Sequence, residues 1–102
     1  MVRHVVLWTL KDELSEAEKA EAAYNIREQL YDLQDIIPGI VEFFVHTDKL
    51  DSSDADIFLD STFEDRESLE DYQTHPEHLK VKKYISEVVS SRKCIDLRLN
   101  TR

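Results

Sequence analysis

The 102-residue chain predicts a ferredoxin-like α+β domain with the element order β-α-β-β-α-β. Three observations carry this. Four β-branched or aromatic runs alternate with two helical stretches in that order, no repeat or linker interrupts them, and the breakers Pro38-Gly39 and Pro76 fall at the junctions. At this length the chain is one domain, residues 1–102, with a single thin core.

The first run, RHVVLWTLK, alternates His4, Val6, Trp8 and Leu10 against Val5, Leu7 and Thr9, so both faces are apolar and both want cover. SEAE follows, with Ser15 as N-cap and Glu18 three residues on, which is a capping box. The helix it opens extends to about Leu33, with Ala20, Ala23, Tyr24, Arg27, Leu30 and Tyr31 near one side. Pro38 and Gly39 end it. IVEFFVH (40–46) and IFLDSTF (57–63) read as strands, and the polar TDKLDSSDAD between them as a strand end and loop. In the first of these, Ile40 and Phe44 oppose Val41, Phe43 and Val45. Asp65 caps a short helix carrying Leu69 and Tyr72. Pro76 opens the last helix at the position where no amide donor is needed. There His78, Val81, Ile85 and Val88 share a face. RKCIDLRL (92–99) is the closing strand.

Composition narrows the function. Hydrophobic residues make up 41% of the chain, the ordinary globular range. A net charge of −9 opposes nucleic acid and anionic membrane as partners, since both need a basic surface. Gly39 is the sole glycine, which excludes glycine-rich phosphate loops, and no cofactor is expected. Cys94 is the lone cysteine, fitting a reducing cytoplasmic setting, and among apolar strand neighbours it reads as a buried, inert thiol. The apolar run before Lys11, Asp12 and Glu13 is too short for a signal peptide or membrane span. No CxxC or Cys/His spacing marks a metal site, and the spacing of Asp56 and Asp60 with His4 or His46 matches none either, so no metal is expected. Helices can shield only one face of a four-stranded sheet. The other apolar face therefore predicts a two-fold homodimer.

RHVVLWTLKDELSEAE, IPGI and STFEDRESLEDYQTHPEHLKV together resemble, over essentially the whole chain, the stress-responsive dimeric α/β-barrel (Dabb) family. The segment with Tyr72, His75, Pro76 and His78 is the most specific part. The resemblance implies a ferredoxin-like protomer whose sheet pairs with a second copy to form a dimeric α/β barrel. Family members include stable stress-induced proteins and, more distantly similar, a plant polyketide (olivetolic acid) cyclase that closes a ring by an aldol-type condensation. In that enzyme the pocket lies between sheet and helices.

By that resemblance His78 is the candidate general base, Tyr72 the donor to a developing enolate oxygen, and His4 a polar wall. The expected lining of a closed cavity is His4, Val6, Trp8, Tyr72, His78 and Ile85. Ile57 and Leu30 join the lining where the cyclase has a histidine and a tyrosine, so the occupant is expected to be smaller, apolar or aromatic. Each candidate also has a plain structural reading. His78 on an apolar stripe can satisfy a backbone group, Tyr72 can cap the core, and His75 can finish a turn. Three functions stay open: an acid/base enzyme of cyclase or isomerase type, a non-catalytic stress-protective dimer, and a monooxygenase-like barrel.

Overall fold

The computed structural model describes residues 1–99. Its elements are β1 (Val2–Leu10), α1 (Glu16–Gln34), β2 (Ile40–His46), β3 (Ile57–Phe63), α2 (Arg66–Thr74), α3 (Pro76–Val88) and β4 (Val89–Arg98). The strands form one sheet in the order β2-β3-β1-β4, every neighbouring pair antiparallel. This is the ferredoxin-like arrangement, with the first and last strands adjacent and the helices on one face. No helix among the described residues is long and apolar enough to cross a membrane.

Local signals start and stop the helices where the sequence places them. The capping box is complete: the Glu18 amide donates to Ser15 Oγ, and the Ser15 amide to Glu18 Oε1. Asp65 caps α2 through the Ser68 amide. Gly39 turns the chain into β2 at φ +90°, a backbone conformation that side chains with a Cβ disfavour.

The helices bury one face of β1, β2 and β3. Val6, Trp8, Ile26, Leu30, Leu59 and Phe63 sit at the centre of that core. Full burial of such side chains contributes about 1.5–3 kcal/mol each. Three sequence expectations change here. The buried stripe of α1 is Ala22, Ile26, Leu30 and Leu33, whereas Tyr24 is 62% exposed. Two overlapping stripes exist on this helix, and docking onto the sheet selects the one with the larger aliphatic residues. Tyr31 flanks the chosen stripe and satisfies the edge of β2, its hydroxyl accepting from the Val45 amide at 2.9 Å. In β2 the register shifts between Ile40 and Glu42, so Val41 is an extra residue. Ile40 thereby packs against the core while Val41 and Phe44 are exposed. Last, β4 begins at Val89, three residues early, because α3 runs into it without a loop.

The opposite sheet face stays apolar and uncovered by helices. Leu7, Phe44 (48% exposed), Ile95 (55% exposed) and Leu97 lie there. Arg3 crosses it to form a two-point ion pair with Asp60 at 2.8 and 2.7 Å, and His46 stacks on Phe58.

Candidate functional site

Strand alternation and one helix break build the site. On β1 the alternation turns His4, Val6 and Trp8 toward the helices. Pro76 separates α2 from α3, and His75 serves both, ending α2 and capping α3 with Nδ1 accepting from the Glu77 amide at 3.1 Å. The break brings Tyr72, near the end of α2, against His78, in the first turn of α3. Their ring centroids are 4.3 Å apart.

Between these helices and the β1–β4 half of the sheet lies a cavity of about 670 Å³, a size suited to a small molecule. His4, Val6, Trp8, Tyr72, His78 and Ile85 all line it, with Leu59, Gln73, Val89 and, at the mouth, Lys82 and Arg92. It is not closed. From Ser90 onward β4 is exposed, because no helix covers the helix-side face of that edge strand. Leu30 and Ile57 do not line this cavity. Leu30 is fully buried on the inner side of α1, and Ile57 packs into the core and borders a separate depression beside Leu7 and His46. Their numbers match pocket positions of the family relative, but the packing of α1 and the position of β3 in the sheet decide what they touch.

The rings are held in defined states. His78 Nδ1 lies 3.3 Å from the Gln73 carbonyl, which can only accept, so Nδ1 carries the hydrogen and the neutral ring keeps its lone pair on Nε2. Burial lowers the His78 pKa below the ordinary imidazole value; the bond to the Gln73 carbonyl opposes the shift, and nearby Lys82 and Arg92 reinforce it. The ring is thus neutral at neutral pH. Tyr72 is almost fully buried, its ring also packed against Phe63 and Phe43. Burial raises its pKa well above the usual phenol value, which keeps the hydroxyl a donor. That hydroxyl makes no hydrogen bond among the described residues. No buried polar side-chain atom among them lacks a partner, so it opens onto the cavity.

His4, 2% exposed, donates from Nδ1 to Asp96 Oδ1 at 2.5 Å. Asp96 faces it across the β1–β4 ladder, where His4 pairs with Asp96 and Val6 with Cys94. Cys94 is exposed rather than buried, since its face of β4 has no helix above it. Its thiol lies 3.7 Å from His4 Nδ1 and 3.5 Å from Asp96 Oδ1, and burial together with Asp96 raises its pKa. Asp96, Lys82, Arg92 and this placement of Cys94 are not evident from the sequence alone. The usable signal was the i, i+2 spacing of Arg92, Cys94 and Asp96 on a strand that the fold sets beside β1.

The model of the stress-responsive A/B barrel domain (Dabb) matches residues 2–99. No curated protein matches the chain. Among solved structures, a dimeric ferredoxin-like protein of unknown function from Bacteroides fragilis is 30% identical. The match covers 96% of this chain and 95% of that one, with a TM-score of 0.91. A hydroxynitrile lyase from Passiflora edulis is 23% identical over 99% of this chain and 94% of its own, with a TM-score of 0.80. An antibiotic biosynthesis monooxygenase shares the fold at 9% identity, covering 98% and 99% of the two chains, with a TM-score of 0.77. With a family match spanning all but four residues and a 30% identical relative over nearly its whole length, the chain belongs to the stress-responsive A/B barrel domain (Dabb) family.

Proposed function

We propose that this protein is a cytoplasmic homodimer whose protomers each bind a small carbonyl compound and catalyse proton transfer at the carbon beside the carbonyl. One observation carries the reading: a neutral histidine with its Nε2 lone pair free and a protonated tyrosine stand side by side on one cavity. His78 Nε2 takes the α-proton, and the C–H electron pair moves into a C=C bond while the carbonyl π pair moves to oxygen. The Tyr72 hydroxyl donates to that enolate oxygen. In a conjugated dienolate, return of the proton to the γ-carbon gives isomerisation; attack of the enolate carbon on a second carbonyl forms the ring C–C bond, and the new alkoxide takes the proton back from His78. Val6, Trp8, Leu59 and Ile85 suit an apolar or aromatic body. Lys82 and Arg92 pair with no carboxylate among the described residues and suit an acidic end. The same fold carries a hydroxynitrile lyase and a monooxygenase, so fold alone does not choose the chemistry.

The test is deuterium exchange into the methyl group of 4-acetylbenzoate in D2O, followed by proton NMR. This probe is an aryl ketone with a carboxylate. The protein is expected to accelerate exchange over buffer, and a rate equal to buffer sinks the proposal. The rate should fall as pH is lowered, because protonation removes the Nε2 lone pair. Burial depresses the His78 pKa, so the midpoint of that acid limb is expected below ~6.5, the ordinary imidazole value. A midpoint above it contradicts the assignment to His78.

The dimer is inferred from the exposed apolar sheet face and supported by the dimeric relative. Phe44→Glu combined with Ile95→Glu should weaken self-association about 30-fold or more by burying charge at the centre of the interface. Both side chains are exposed in the protomer, so circular dichroism should be unchanged. Light scattering that finds the wild-type chain at protomer mass at micromolar concentration rejects the dimer.

A further inference from the structure

Two chain segments ninety residues apart place three donor atoms of different chemistry around one point. We propose that His4 Nδ1, Cys94 Sγ and Asp96 Oδ1 form a three-ligand site for a divalent cation of borderline softness, of the Zn²⁺ class.

The distances carry the argument. Tetrahedral zinc with ordinary Zn–N, Zn–O and Zn–S bonds holds its ligand atoms roughly 3.4–3.6 Å apart. Cys94 Sγ is 3.7 Å from His4 Nδ1 and 3.5 Å from Asp96 Oδ1, within about 0.1 Å of that spacing. Only the third separation is shorter, 2.5 Å between His4 Nδ1 and Asp96 Oδ1, where a proton occupies the gap. A cation takes the place of that proton, and the Asp96 side chain moves outward by about 1 Å to reach ligand spacing. Asp96 and Cys94 lie on the exposed part of β4, so neither the movement nor the entry of the ion meets a packed core.

The donor set selects the metal. A thiolate, an imidazole and a carboxylate suit Zn²⁺ or Co²⁺ and are poor hosts for Mg²⁺ or Ca²⁺, which take oxygen ligands. His4 is anchored, being buried on β1 with its backbone carbonyl accepting from Ser61 Oγ at 2.8 Å. Proton balance is simple. The Cys94 thiol releases its proton to solvent, and the imidazole hydrogen moves from Nδ1 to Nε2. Three protein ligands leave one tetrahedral position for water. Arg92 beside the Cys94 thiol favours the thiolate and, on the exposed part of β4, is free to turn toward solvent as the ion enters. The site does not depend on His78 or Tyr72, and it stands or falls separately from the proton-transfer chemistry.

The probe is Co²⁺ titrated into tag-free protein under reducing conditions, followed by absorption and then by displacement with Zn²⁺. Expected is one Co²⁺ per protomer with a near-ultraviolet thiolate-to-cobalt charge-transfer band and strong visible bands of tetrahedral coordination. Zn²⁺ in equimolar amount should abolish both. Cys94→Ser should remove the charge-transfer band, and Asp96→Asn should weaken binding about tenfold or more. Both residues are exposed, so neither change threatens the fold. Absence of a charge-transfer band in the wild type overturns the site. So does equal Co²⁺ affinity in the Cys94→Ser protein.

Discussion

His78→Asn should slow α-proton exchange by about 10²–10⁴-fold, the range that a positioned general base supplies. Asparagine is the informative replacement. Its amide nitrogen stands where Nδ1 does and can still donate to the Gln73 carbonyl, so the α2–α3 junction keeps its hydrogen bond. What disappears is the basic lone pair, because an amide has no proton affinity at neutral pH. Packing against Tyr72 is retained in part, and the apolar walls of the cavity are untouched. Binding of the ketone, read from NMR line broadening, should therefore change much less than the rate. Calorimetric unfolding should shift by about 1 kcal/mol or less, as for other half-buried positions that keep their hydrogen bond. Undiminished exchange in this variant would show that His78 is a packing and hydrogen-bonding residue only.

Gly39→Ala is expected to cost roughly 2–6 kcal/mol of folding stability, from two sources. A left-handed backbone conformation at a non-glycine residue costs on the order of 1–3 kcal/mol, and Gly39 sits at φ +90°. The new methyl also has no room: an added Cβ would stand 2.6 Å from Ser68 Oγ and 2.7 Å from Ser68 Cβ. Overpacking of that kind typically costs about 1–3 kcal/mol. Ser68 cannot easily retreat. Its amide is held by the Asp65 cap in the first turn of α2. Tyr72 lies one helical turn further along, so a displaced α2 start disturbs the site as well as the fold. Urea denaturation measures the loss. Pairing Gly39→Ala with Ser68→Gly should recover the steric part and leave the backbone part. A loss below about 1 kcal/mol in the single variant would contradict the crowding argument.

How far the sequence could be read differs between elements for definite reasons. Ser15 with Glu18, Asp65, His75 and Pro76 act within one turn of their own position, so the helix starts they announce are where the structure has them. Alternation along β1 was equally legible, because it follows from strand geometry alone. The buried face of α1 was not. Ala22, Ile26, Leu30 and Leu33 compete with a second stripe through Ala23 and Tyr31, and only docking on the sheet separates them. The bulge at Val41 escaped for a similar reason: it is a property of the pairing with β3, not of β2 by itself.

The candidate site divides the same way. Tyr72 and His78 were singled out through the family resemblance of one local segment, and the proline break in that segment sets their approach. Asp96 and Cys94 were not, since their meaning depends on β4 lying beside β1 in a register that sets Asp96 opposite His4. Capping, strand period, charge and the family segment are written in short-range sequence, and from them follow the element order, the apolar second sheet face and the inward His4 and His78. Which stripe of α1 is buried, that the cavity stays open along β4, and that a histidine, a thiol and a carboxylate meet were decided by tertiary structure alone. Contacts between residues ninety positions apart are set by the packing of whole elements, and no local pattern encodes that packing.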